Sequence, residues 1–158
     1  MNYTIRAIKP DEYNELENFI YEAIFIPEGT PAPPKSIVRQ PELQVYLTDF
    51  GKRKDDIGFV AEVDTKIVGA VWVRIMNDYG HIDDTTPSFA ISLYKEYRGA
   101  GIGTALMKQM LNTLKQRGYK QASLSVQKAN CAAQLYKKLG FQIIDENEDE
   151  YIMVMHFI

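Results

Sequence analysis

The stretch Tyr97-Arg98-Gly99-Ala100-Gly101-Ile102-Gly103-Thr104 carries the strongest chemical signal in the chain. Its three alternating glycines come directly before a segment of helical periodicity. Glycine lets a backbone turn sharply and approach a ligand closely. The first amides of a helix have no internal acceptor, and the macrodipole adds partial positive charge there. A glycine-rich turn that opens a helix is therefore suited to hold a phosphate. As a mere strand-to-helix turn, three glycines would be costly for folding. Two familiar cradles do not fit. A P-loop needs Lys and then Ser or Thr after its last glycine, whereas Thr104 and Ala105 follow Gly103. A dinucleotide fingerprint needs G-x-G-x-x-G, with an acid about twenty positions on. The spacing here is G-x-G-x-G, and no such acid follows.

Other reactive side chains are sparse. Cys131 is the single cysteine and reads as a small hydrophobe, because a nucleophile needs a positioned base. His81 and His156 are too few and too far apart to suggest a metal site. No metal is expected. Asn130 reads as a helix cap, a ligand contact, or both. Tyr136 reads either as a core aromatic or as a hydroxyl with a chemical task. Trp72 and its apolar neighbours read as sheet packing.

The elements that must position the cradle follow from periodicity. Tyr3–Ile8 alternates and predicts a strand. Pro10-Asp11-Glu12 starts a helix expected over Asp11–Phe25, with Leu16, Phe19, Ile20, Ala23 and Ile24 on one face. Pro27–Pro34 is a loop. Pro41–Phe50 suggests a second short helix stopped by Gly51. Ile57–Val63 and Ile67–Met76 predict a hairpin turning at Asp64-Thr65-Lys66. Asn77–Pro87 is loop-like, and Ser88–Leu93 is the next strand. After Gly101 the residues Ile102, Leu106, Met107, Met110, Leu111 and Leu114 mark an amphipathic helix closed by Gly118. Ala122–Val126 is a strand. A helix over Asn130–Leu139 stops at Gly140. Phe141–Ile144 and Tyr151–Phe157 are the last strands, joined by the acidic run Asp145–Glu150. The order is strand, two helices, three strands, helix, strand, helix, two strands. This predicts a mixed α/β sheet.

The 158 residues argue for one domain, 1–158. A net charge of −3 lacks the basic excess of a nucleic-acid binder. No apolar run reaches the roughly 20 residues that span a bilayer, and the first residues lack a secretory layout. One cysteine fits a reducing compartment. The expectation is a cytoplasmic protein with neither a nucleic-acid nor a membrane partner.

The stretch resembles the coenzyme A motif of the GNAT family of N-acetyltransferases, Arg/Gln-x-x-Gly-x-Gly/Ala. Arg98, Gly101 and Gly103 stand at its fixed positions. Asn130, Ala133, Tyr136, Gly140 and Phe141 match the family's downstream pattern in order. The element order matches the family's acyl-CoA N-acyltransferase fold over nearly the whole chain. Pro27–Phe50 shows only generic acceptor-loop character. The resemblance implies acetyl-CoA as cosubstrate, its pyrophosphate on the amides of Gly99, Ala100, Gly101, Ile102, Gly103 and Thr104, beside Arg98. Its pantetheine arm would run along Ile91, Ser92 and Leu93. A backbone N–H there would polarise the thioester, Asn130 would touch the cofactor, and Tyr136 would protonate the departing thiolate. The acceptor would be a primary amine of a small molecule or peptide, attacking directly. A homodimer is compatible with the family. Ser88, Ala90 and Ser92 stand where some members place a carboxylate, and none is acidic. Glu28, Asp83, Asp84 or an ordered water remain as bases. Tyr46, Tyr79 and Tyr94 are candidate liners of an acceptor pocket. The rival readings are another acyl-CoA or acceptor, and a coenzyme A sensor without turnover.

Overall fold

The computed structural model describes residues 2–157. The chain opens with β1 (Thr4–Ala7), shorter than the alternation suggests. The expected first helix is a 3-10 turn over Pro10–Glu15 followed by α1 (Leu16–Glu22). Local hydrogen bonding explains the tight start. Glu12 Oε1 accepts from the Lys9 amide (2.9 Å) and both its oxygens accept from Arg6. Arg6 also pairs with Glu62, which anchors this corner to the sheet, and its hydrogen bonds to Glu12 hold the Glu12 carboxyl down at about 2. The helix ends at Glu22 rather than Phe25, in keeping with the bias of the residue before Pro27 away from helical backbone.

A 3-10 turn over Lys35–Arg39 precedes α2 (Pro41–Gln44). The helix expected to reach Phe50 stops after one turn because buried side chains claim its next carbonyls. Arg74 Nη1 donates to Val45 O (3.2 Å) and Thr48 O (2.9 Å), and Trp72 Nε1 donates to Tyr46 O (3.0 Å). The rest of the segment is irregular turns.

The strands β2 (Ile57–Val63) and β3 (Lys66–Arg74) form the expected hairpin on a two-residue Asp64-Thr65 turn, with both φ positive. Next come β4 (Ser88–Leu93), α3 (Ile102–Gln116), β5 (Gln121–Gln127) and α4 (Ala132–Leu139). The last strands are β6 (Gln142–Glu146) and β7 (Glu150–His156). Asp145, Glu146 and Glu150 are thus in strands, and the joining turn is Asn147–Asp149. Asn147 Oδ1 accepts from the amides of Asp149 and Glu150, a self-sufficient turn.

The seven strands lie in the order β1-β2-β3-β4-β5-β7-β6, and β4–β5 is the parallel pair. Such a pair needs a crossover, which α3 supplies. One face of the sheet packs Val71, Val73, Phe89 and Leu124 against the apolar stripes of α3 and α4. The other packs Val60, Ala70, Trp72 and Ala90 against α1 and the segment after it. Among the described residues no helix is long and apolar enough to cross a membrane.

Candidate functional site

The parallel seam is barely made. A single bridge, Ser88 with Ser123, joins β4 to β5, whereas β5–β7 pairs along its full length. Strand parity shows what this leaves open. Ser123 N–H donates to Pro87 O, and Tyr94 N–H donates to Val68 O on the opposite side. Backbone groups alternate sides along a strand. Phe89, Ile91 and Leu93 therefore turn theirs toward β5. Beyond the bridge, the N–H and C=O of Ile91 and the N–H of Leu93 face a gap with no strand partner. Ser92 has the other parity. It pairs with Ala70 of β3, and its hydroxyl donates to Phe19 O (2.5 Å).

The gap leads to the glycine turn. Gly99 and Gly101 hold φ of +80° and +86°, which side chains with a Cβ rarely adopt. A Cβ on either would meet nothing within 4 Å. Gly103 has ordinary helical backbone, and a Cβ there would only touch Leu93 Cδ1 at 3.6 Å. Packing does not require that glycine, although glycine in a helix costs about 0.5–1 kcal/mol against alanine. Space kept clear over a helix start is what a close-lying ligand needs. No side chain caps α3. Its first backbone bond runs from Ala105 N–H to Gly101 O, so the amides of Ile102, Gly103 and Thr104 are free to donate. Arg98 braces the turn. Its Nε donates to Leu93 O (3.0 Å), and its Nη2 donates to Glu22 O (3.2 Å) and lies 3.6 Å from the Glu22 carboxylate. The guanidinium still contributes positive charge beside the free amides.

Beyond the gap stands α4. Asn130 Oδ1 accepts from Ala132 N–H (2.9 Å), a turn that leads into α4, whose N-cap is Cys131 with no side-chain cap. Tyr136 is 8% exposed. Its ring packs on Phe141, which in turn meets Phe89 of β4. Burial alone pushes the phenol up to about 12. The hydroxyl is thus a standing proton donor at neutral pH. Cys131 is exposed at the start of α4.

On the opposite face of the sheet, over the start of the gap, lies a polar cluster that sequence reasoning missed. Tyr46 Oη donates to Asp78 Oδ2 (3.0 Å). Ser88 and His81 lie beside Asp78, and Ser125 and Glu150 lie beside Tyr46. Burial pushes the Asp78 carboxyl above its usual range, against the hydrogen bond from Tyr46. Burial, and then the Asp78 charge, raises Tyr46 well above an ordinary phenol. Among the described residues, Asp78 Oδ1 and His81 Nδ1 are buried polar atoms without a partner. The loop carrying Asp78 is pressed onto β5. Ser123 Oγ donates to Gly80 O (2.7 Å), and a Cβ on Gly80 would meet the β5 backbone at 3.2 Å.

The carboxylates expected as bases lie elsewhere. Glu28 is exposed. Exposed Asp83 accepts from the Thr85 amide and hydroxyl, and Asp84 is 96% exposed. The three tyrosines do not share one pocket. Tyr94 lines a cavity of about 570 Å³ with Glu17, Glu22 and Lys35, and neither Tyr46 nor Tyr79 does. A second cavity of about 520 Å³ runs beside Val45, Asn77 and His81. Among the described residues no three His, Cys, Asp or Glu side chains are grouped to hold a metal.

Comparison with known proteins shows the family and the fold. The model of the Acetyltransferase (GNAT) family matches residues 19–141. An N-alpha-acetyltransferase from Sulfurisphaera tokodaii is 32% identical over 123 residues, covering 68% of this chain and 74% of the relative. A [ribosomal protein bS18]-alanine N-acetyltransferase from Haemophilus influenzae is 32% identical over 68 residues, covering 43% of this chain and 47% of that protein. Among solved structures, the PaiA N-acetyltransferase from Thermoplasma acidophilum in complex with coenzyme A superposes with a TM-score of 0.73 at 18% identity, over 99% of this chain and 100% of its own.

Proposed function

This chain belongs to the acetyltransferase (GNAT) family, and on that premise we propose that it moves an acetyl group from acetyl-CoA to a primary amine of a small molecule or peptide, acting as one domain over residues 1–158. The supporting observation is the continuity of the open β4 edge with the uncapped start of α3. A pyrophosphate fits the Gly99–Thr104 amides, the charge of Arg98 and the helix dipole. A pantetheine arm, with its two amide groups, can complete the unpaired backbone of Ile91 and Leu93 as a partial strand. The amide N–H left over is the donor for the thioester carbonyl, and such a donor is worth roughly 2.7–4 kcal/mol in a transition state. Tyr136, protonated at neutral pH, gives its proton to the leaving thiolate. The names of the Sulfurisphaera and Haemophilus relatives direct first assays to α-amino groups.

Two measurements test this reading. At about a hundred times its dissociation constant a ligand adds roughly 2.7 kcal/mol, and each kcal/mol moves Tm by about 2–4 °C at this size. Acetyl-CoA should raise Tm by several degrees, and NADH and ATP should not. Free thiol should then appear when a peptide with an unblocked N-terminus is added. Equal shifts with all three ligands would sink the assignment of the cradle.

A further inference from the structure

The transfer leaves one proton without an owner. An alkyl amine has a pKa near about 10.4, so the acceptor arrives as an ammonium and must lose a proton before its nitrogen can attack. The Ser88–Ala90–Ser92 face of β4 has no carboxylate, and Glu28, Asp83 and Asp84 are exposed to water. The buried cluster over the start of the gap supplies one. We propose that Asp78 takes the ammonium proton through the hydroxyl of Tyr46, so that Tyr46 touches the amine and Asp78 is the sink behind it. This rests on the transferase reading above and deepens it.

Three observations carry the relay. Tyr46 Oη already donates to Asp78 Oδ2 at 3.0 Å, so a proton can shift along it without rearrangement. Asp78 Oδ1 is buried and has no partner among the described residues, which is unusual for a carboxylate oxygen and leaves it basic capacity. The dyad is also placed against the seam: Ser88, next to Asp78, is the β4 residue that bridges to β5, and Ser125, next to Tyr46, is on β5. The groups facing the dyad are His81 with Asp84 behind it, Glu150, and Asp149 beside Glu150. The acids hold a cationic amine near the mouth, and His81 offers an exit toward the cavity it lines. Burial keeps Asp78 closer to neutrality than an exposed carboxylate, which favours a base that must later release its proton.

The step balances. The ammonium gives H⁺ to Tyr46 Oη while Tyr46 gives its own to Asp78. The freed nitrogen pair forms the C–N bond, and the C–S bond breaks as its electrons move to sulfur. The second nitrogen proton replaces the one that Tyr136 gives the thiolate. The Asp78 proton passes to solvent by way of His81, and amide, free thiol and one proton result.

The test compares two amines at pH 7: an alanine-led peptide or alkyl diamine, mostly protonated, and an aniline, already neutral. Asp78→Asn should lower kcat/KM about a hundredfold for the basic amine, the low end of acid–base contributions. For the aniline the loss should be within about threefold. Raising the pH toward the pKa of the basic amine should close its gap, and Tyr46→Phe should reproduce the pattern. Acetyl-CoA affinity by calorimetry should hold in both variants, which shows that they fold; if Asp78→Asn does not, Tyr46→Phe alone decides. Equal losses for both amines, or wild-type rates with both, overturn the relay and leave the transferase standing. A wild-type chain that binds no acetyl-CoA removes both.

Discussion

The two sides of the β4–β5 gap are built on different principles. The side we propose for the cofactor is backbone: free amides, two left-handed glycines and an open strand edge, all within Ile91–Thr104. The side we propose for the acceptor is side chains gathered from afar. Tyr46 and Asp78 are 32 positions apart, and the turn that carries Tyr46 is held by a guanidinium from β3. A ligand common to a whole family can be held by groups that every residue type possesses. A ligand peculiar to one member must be recognised by groups that mutation can exchange. The cofactor side should therefore tolerate damage to side chains and fail on damage to backbone shape, and the acceptor side should do the reverse.

The largest effect is expected at Asp56, which pairs with Arg74 at 3.1 Å, both side chains 1% exposed or less. Asp56→Ala would strand a buried guanidinium, and breaking one partner of such a pair typically costs about 3–5 kcal/mol. Urea denaturation should show that loss, and acetyl-CoA affinity of the remaining folded protein should hold. An equal collapse of affinity would erase the distinction between the two sides. Gly101→Glu makes the opposite case. A side chain fills the space above the turn, strains a φ of +86° and brings a charge of the wrong sign. Acetyl-CoA affinity should fall by about a hundredfold or more, equivalent to about 2.7 kcal/mol, while stability falls only by the roughly 1–2 kcal/mol of a left-handed residue. Unchanged affinity in calorimetry contradicts the cradle.

Tyr136 sharpens the comparison because it is a side chain on the cofactor side. Tyr136→Phe keeps the ring on Phe141 and removes only the hydroxyl. A loss of about tenfold to a thousandfold in kcat, with coenzyme A affinity intact, is expected of a proton donor acting in the transition state. With the phenol pushed up to about 12, its alkaline limb lies beyond the working range. The sign follows from the raised value: the neutral form is favoured by folding, so its contribution to stability is complete below about 10 and fades as pH rises through about 12. Turnover within twofold of wild type, with chemistry rate-limiting, would return Tyr136 to packing.

What could be read from the sequence follows the same division. The glycine turn and the uncapped helix start were visible because the glycines, Arg98 and the apolar stripe of α3 are contiguous. The sheet and the long helix were visible because periods of 2 and 3.6 survive in Ile57–Leu93 and Ile102–Leu114. The short helices were not. Propensity over Val45–Phe50 says helix, and it loses to Arg74 and Trp72, which arrive from 26 to 29 positions away. Asp78 had no local mark at all, standing in a polar loop like Asp83 and Asp84. What distinguishes it is burial beneath Tyr46, and burial of that kind is a property of the closed fold. The nearest hint was Gly80, whose missing side chain lets the loop lie on β5.

The single Ser88–Ser123 bridge has a mechanical consequence. Two well-laced plates, β1–β4 and β5–β7–β6, share one strand-to-strand bridge and otherwise meet through the Gly80 loop lying on β5 and one long crossover helix. Such a body is stiff within each plate and compliant along one line, in the manner of a nearly split board. A guest laid into the split adds stitches where the chain has none, so an occupied molecule resists torsion about that line better than an empty one. Letting go of the spent guest then means paying back those stitches, and the pace of reopening belongs to the seam rather than to either plate.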